Sequence, residues 1–308
     1  MIVRLLCALP LTLAILSSAP ALAQETNRFA LTEPAAERFQ IGATQVQRFG
    51  QGKPALILIP GLASGPWAWQ ASIRDLARDH SVYVLTLPGF DGLPAVPGQG
   101  MGAAQASLGA LIAERKLDRP VLAGHSVGAM LALGYAAQHP DKVRGVISLD
   151  GLPLLAGTED WDLPQRGKMA ADLARRKPTT AQQFAAEQQE YMSGTGVIDM
   201  ARADELARLT AKSDPAAVMR YMAEAMTLDL RPVLDKVTAP VLVISPYFQL
   251  DADQQRMTEA AKSAYYTALF EGTADLKVVS IAPARHFVMF DQPDQVNKAI
   301  REFLARLK

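Results

Sequence analysis

The sequence predicts an α/β domain: a mostly parallel central sheet with helices on both faces and an inserted helical cap. Three observations carry this expectation. Short β-branched runs alternate with stretches of helical periodicity along most of the chain. Those runs are continuously apolar rather than alternating, as strands covered on both faces require. One stretch, about Ala156 to Arg231, shows helical patterns only, which reads as an insertion between two strands. No internal repeat or low-complexity tract interrupts the pattern, and 308 residues allow one or two domains.

At the start, Arg4 is a short positive region and "LLCALPLTLAIL" an apolar run too short to span a bilayer. Ala21-Leu22-Ala23 then fits the small-residue requirement for cleavage before Gln24. Residues 1–23 are therefore expected to be a secretory signal peptide, sending the chain to a periplasm or the medium. Cys7, the only cysteine, lies inside that segment, so the mature chain has no thiol, disulfide or cysteine-metal site. About 285 mature residues suffice to bury a core without such staples. Lys plus Arg number 31, as do Asp plus Glu. This balance gives no electrostatic case for nucleic acid or a charged membrane surface. The oligomeric state is not legible.

The elements follow in order. "ERFQIGATQVQRFG" patterns as a hairpin, an antiparallel edge to the sheet. "PALILIP" and "SVYVLTLPG" are strands ending in Pro-Gly turns, separated by the helical "WAWQASIRDLARDH". "AAQASLGALIAERK" is a helix, "RPVLAGHS" a strand, and "GAMLALGYAAQHP" a helix stopped by Pro140. After the strand "VRGVISLDG" comes the strand-free insertion. "APVLVIS" resumes the sheet, a long helix is expected around Gln254 to Phe270, then the strand "LKVVSIA" and the helix "QVNKAIREFLARLK". The expected division is a core over 24–155, a cap or lid over 156–231, and the rest of the core over 232–308. In open parallel sheets ligands bind beyond the carboxyl ends of the strands, and the insertion leaves the sheet at that edge.

"AGHSVGAM" carries the chemistry. Ser126 falls between a strand and a helix, flanked by Gly124 and Gly128. A sharp strand-to-helix turn holds such a serine in a strained conformation with its oxygen exposed, and side chains at 124 and 128 would collide with backbone. The following helix N-terminus aims its dipole and free N–H groups at the site.

Here the chain resembles the α/β-hydrolase fold superfamily, over nearly all of its mature length. The resemblance rests on "LILIPGLASGPWAW", "LTLPGFDG", "AGHSVGAMLALGYAAQHP", "APVLVI" and "ARHFVMFDQPDQV", in the family's order. It implies a serine nucleophile at Ser126 and a catalytic base at His286, in the loop after the last expected strand. His80, His125 and His139 are expected to be structural. The acid is open. The family's usual G-x-x-D loop is replaced by "VLVISPYFQLDADQ", with Gln249 where the aspartate would fall. Asp150, at the end of "VRGVISLD", is favoured over Asp251, with Asp253 behind both. For the oxyanion hole, Val127 supplies one backbone N–H and Leu62 the other, with Ala63 as alternative. Trp67 and Trp69 fit helix packing better than a pocket wall.

The resemblance implies a secreted serine hydrolase acting on carboxylic esters of small to medium, partly hydrophobic molecules, with no cofactor and no metal. Met169, Met192, Met200, Met219, Met222 and Met226 make the cap apolar and adaptable. Ser126 excludes the aspartate-nucleophile dehalogenases and epoxide hydrolases of the fold. Amide hydrolysis stays open through Glu187, Glu190 and Glu224, which suit a substrate ammonium. Carbon–carbon bond hydrolysis and a catalytically silent binding protein also remain.

Overall fold

In the computed structural model, which describes residues 32–98 and 100–307, β1 (Glu37–Ile41) and β2 (Thr44–Phe49) form the expected antiparallel hairpin. The signal-peptide expectation for residues 1–23 lies outside the described residues. β3 (Leu56–Ile59) leads through a short 3-10 turn, Pro66–Trp69, into α1 (Gln70–Leu76). Then come β4 (Val82–Thr86), α2 (Met101–Glu114), β5 (Val121–His125), α3 (Val127–Gln138) and β6 (Gly145–Leu149). The sheet has eight strands in the order β1-β2-β4-β3-β5-β6, closed by β7 (Val241–Pro246) and β8 (Leu276–Ile281). β2 runs antiparallel to β4, and every later pairing is parallel.

The apolar runs of the sequence are explained by a core on each face. Along β3, Ile57 and Ile59 point to one side, with Leu111, Met130 and Leu131 of α2 and α3. Leu56 and Leu58 point to the other, with Ile73 of α1 and Ile300 and Phe303 of the last helix. Both sides are buried, so truncating any of these leucines to alanine costs about 2–5 kcal/mol.

Between β6 and β7 lie four α-helices: α4 (Leu163–Ala174), α5 (Ala181–Tyr191), α6 (Met200–Thr210) and α7 (Pro215–Thr227). A single turn of π-helix, Met192–Gly196, follows α5. Asp162 with Gln165 and Thr180 with Gln183 form reciprocal capping boxes that start α4 and α5. α4 packs on α7 and α5 on α6. The two ends of the segment are tied together. Arg166, 1% exposed, donates to the carbonyls of Trp161, Thr158 and Leu228 and lies 3.6 Å from Asp229. Arg231 also grips Asp229, with Nη2 2.7 Å from a carboxylate oxygen.

One expected element is corrected. The long helix over Gln254 to Phe270 is two helices, α8 (Gln249–Gln255) and α9 (Glu259–Leu269). Arg256 ends the first in a left-handed conformation, φ 51°. Thr258 starts the second, its side chain accepting from Ala261 N. Helical periodicity runs across this break, which hides it from pattern alone. α10 (Val288–Asp291) and α11 (Pro293–Arg306) complete the chain.

Candidate active site

Ser126 sits between β5 and α3 with φ 52° and ψ −122°, a strained conformation for a non-glycine residue. Glycine is required on both sides. A Cβ at Gly124 would lie 2.3 Å from Gly128 O, and one at Gly128 would lie 2.4 Å from Ile59 O. The Ser126 N–H donates to Leu149 O at 3.0 Å, which holds the turn against β6. Val127 opens α3, where a backbone N–H has no partner within the helix.

Strand register brings Asp150 beside Ser126. His125 pairs with Leu149 across β5 and β6, so Ser126 and Asp150 leave adjacent strands side by side. Asp150 has φ 43°, and its N–H donates to Ile244 O of β7 at 2.9 Å. The loop after β8 carries His286, whose Nδ1 lies 2.6 Å from Asp150 Oδ2. Tyr266 of α9 donates its hydroxyl to the other oxygen, Asp150 Oδ1. Burial pushes the Asp150 carboxyl up. The hydrogen bond and charge of His286, the charge of Lys262 and the Tyr266 hydroxyl outweigh it and hold the carboxyl below its ordinary value.

Asp251 and Asp253 do not reach His286. Asp251 pairs with Arg285, its two oxygens 2.8 and 2.7 Å from Nε and Nη2. Asp253 accepts from Gln249 within α8. Arg285 in turn donates Nη1 to Ser193 O at 2.8 Å and Val197 O at 3.2 Å. The His286 loop is further bound to the π-turn by His286 N to Thr195 O, 3.2 Å, and Phe287 N to Gly196 O, 2.8 Å. Asp291 joins the same two segments, accepting from Ile198 N and Arg285 N. From below, His125 places Nε2 3.0 Å from His286 O. Complete burial pushes the His125 imidazole down to about 3, so it is neutral and donates to that carbonyl.

Ser126, Asp150 and His286 line one cavity of about 750 Å³, together with Leu62, Ala63 and Val127. The loop bearing Leu62 is braced from outside the core. Ala63 has φ 54°, and its carbonyl accepts from Ser213, between α6 and α7, at 3.0 Å. Its lining includes the apolar side chains of Met130, Leu152, Leu154, Val218 and Met222. It also includes Glu187, Tyr191, Lys262 and Tyr265. Trp67 instead stacks on Phe287 and Phe290 beneath the His286 loop, and Trp69 is fully buried. Among the described residues no group of three or more His, Cys, Asp or Glu is arranged to hold a metal ion. None of their helices is long and apolar enough to cross a membrane.

Residues 56–299 match the alpha/beta hydrolase family. The chain belongs to that family. It is accordingly a hydrolase. Over 258 residues it is 29% identical to the biotin biosynthesis bifunctional protein BioHC of Cellvibrio japonicus, covering 83% of this chain and 48% of that one. The chain thus spans about half the length of that relative. A pimeloyl-[acyl-carrier protein] methyl ester esterase of Vibrio parahaemolyticus is 26% identical over 208 residues, 67% of this chain and 78% of its own. Among solved structures, a thermophilic esterase from Thermogutta terrifontis superposes with a TM-score of 0.67 at 22% identity. That superposition covers 88% of this chain and 99% of the other, a likeness of fold.

Several residues that shape the site in this hydrolase carry no signal in the sequence. Tyr266 and Lys262 lie on an unremarkable amphipathic helix. Arg285 and Asp291 flank His286 and read as ordinary loop residues. Ser213 sits in a short turn far along the chain. Tyr191 meets the His286 ring edge-on, centroids 6.1 Å apart, from the end of α5. A π-turn beside a site is a recurring functional feature, but no sequence pattern announces it.

Proposed function

We propose that the chain hydrolyses carboxylic esters of small to medium, partly hydrophobic molecules through Ser126, His286 and Asp150. The observation that carries this reading is the 2.6 Å bond between His286 and Asp150 on the wall of the cavity that holds Ser126. Asp150 keeps the imidazole proton on Nδ1, leaving Nε2 free to act as a base. Ser126 Oγ attacks the ester carbonyl carbon and its proton passes to His286. The carbonyl electron pair moves onto oxygen, where the Val127 and Leu62 N–H groups receive it. Collapse breaks the C–O bond, the leaving alcohol takes the proton from His286, and an acyl-serine remains. Water repeats the sequence, its proton going to His286 and then to Ser126, and the carboxylic acid leaves.

Esters are supported over other bonds by the apolar lining of Met130, Leu152 and Met222 and by the name of the Vibrio relative. In this reading residues 156–231 are a cap whose helices set substrate choice, and the enzyme works in the periplasm or outside the cell. A fluorophosphonate probe should label the wild-type chain and not Ser126→Ala. A panel of p-nitrophenyl esters of graded length, with anilide and lactone controls, then defines the bond. Turnover of anilides without esters would replace ester hydrolysis by amide hydrolysis, and an unlabelled wild type would mark a binding protein.

A further inference from the structure

We propose that Lys262 and Tyr266, one turn apart on α9, are positioning residues that balance the charge of Asp150 and so set the pH range in which His286 serves as a base. This rests on the triad reading above. Residues four apart share one helix face, and that face of α9 is turned toward Asp150. Tyr266 is 5% exposed, and its hydroxyl is committed to Asp150 Oδ1. Lys262 is half-buried, lines the same cavity as Asp150, and donates from Nζ to Pro246 O at 2.5 Å. Its ammonium also lies 5.7 Å from the Tyr266 ring centroid.

The physical consequence concerns the resting site. A buried carboxylate beside a neutral imidazole is an uncompensated charge, which is costly to hold out of water. Here Lys262 supplies the counter-charge before any proton moves. The Tyr266 hydrogen bond and the Lys262 charge both draw on the carboxylate that must later stabilise the imidazolium. Asp150 therefore pulls less strongly on the His286 proton than an unpartnered carboxylate would. The other charged and titratable groups around the pair do not do this. His125 is neutral beneath the His286 ring. Tyr191 meets that ring by its edge. Glu187 lies at the exposed rim of the cavity. Tyr265 is bonded to Glu159, and Arg285 is paired with Asp251.

The test reads the imidazole directly. In the full-length Ser126→Ala chain labelled with nitrogen-15, the His286 ring is followed by NMR across pH, with His286→Gln identifying its signals. Adding Lys262→Met or Tyr266→Phe should raise the pH midpoint of protonation by about 0.5–1 unit each. Lys262→Arg, which keeps the charge, should leave it in place. In the active chain the acid limb of kcat/KM should move up by the same amount. Unmoved or lowered midpoints in both Lys262→Met and Tyr266→Phe overturn the proposal. If Tyr266→Phe fails to fold, the half-buried Lys262→Met decides alone. A wild-type chain that resists the fluorophosphonate probe instead refutes the hydrolytic reading, whereas a labelled chain with unmoved midpoints refutes only the charge balance.

Discussion

Asp150→Asn is the sharpest perturbation of the proposed triad, because it removes one charge and preserves shape. The amide oxygen still accepts from Tyr266, so the fold should persist. What is lost is the acceptor 2.6 Å from His286 Nδ1. With charge centres about 4 Å apart and an effective dielectric of about 20, the carboxylate stabilises an imidazolium by about 4 kcal/mol. That corresponds to roughly three decades in rate. The amide N–H also favours the wrong imidazole tautomer, which brings the expected loss to about 10³–10⁴ in kcat. KM should change little, since Asp150 acts through His286. The assay is kcat on p-nitrophenyl butyrate at pH 8, with melting followed by circular dichroism to confirm folding. Asp251→Asn is the control. It breaks the Arg285 pair and loosens the His286 loop, so kcat should fall less than about tenfold, with some loss of Tm. If Asp150→Asn stays within tenfold of wild type, the triad argument fails. If Asp251→Asn loses the three decades instead, the acid is reassigned.

Three further outcomes are expected. Burial holds the His125 imidazole down at about 3 against an ordinary 6.5, so below about pH 6.5 the unfolded chain takes up a proton that the native chain refuses. Stability from this group is complete above that pH and is lost as pH falls, by about 2 kcal/mol between pH 7 and 5. Urea unfolding at both pH values should show a pH dependence smaller by that amount in His125→Asn, and an unchanged dependence rejects the account. Met222→Ala, on the cavity wall, should move the chain-length optimum of the ester panel to longer acyl groups while lowering stability by only about 1 kcal/mol; an unmoved optimum would show that α7 does not set substrate choice. N-terminal sequencing of exported protein should begin at Gln24, and an intact Met1 in a membrane fraction would reject the signal-peptide reading.

What the chain determines by itself is what depends on neighbours along it. Strands buried on both faces need side chains that tolerate no water on either side, so β3, β5, β6 and β7 announce themselves as unbroken apolar runs. The turn at Ser126 needs glycine at 124 and 128 because backbone atoms approach within 2.4 Å of where a Cβ would stand, a steric demand written into five consecutive residues. The choice among Asp150, Asp251 and Asp253 is of another kind. All three are aspartates near strand ends, and they differ only in what lies across space from them. Asp150 meets a histidine 136 positions away, because β5, β6 and β7 lie side by side and the loop after β8 folds over them. Asp251 is turned to Arg285 by α8, a helix whose end at Arg256 is masked by periodicity running on into α9. The same holds for Tyr266 and Lys262 on Asp150, for Ser213 on the Leu62 loop, and for the π-turn against His286. Local sterics and burial act between residues close in sequence and leave a pattern there. Hydrogen bonds and charges between separate elements are set only once those elements pack.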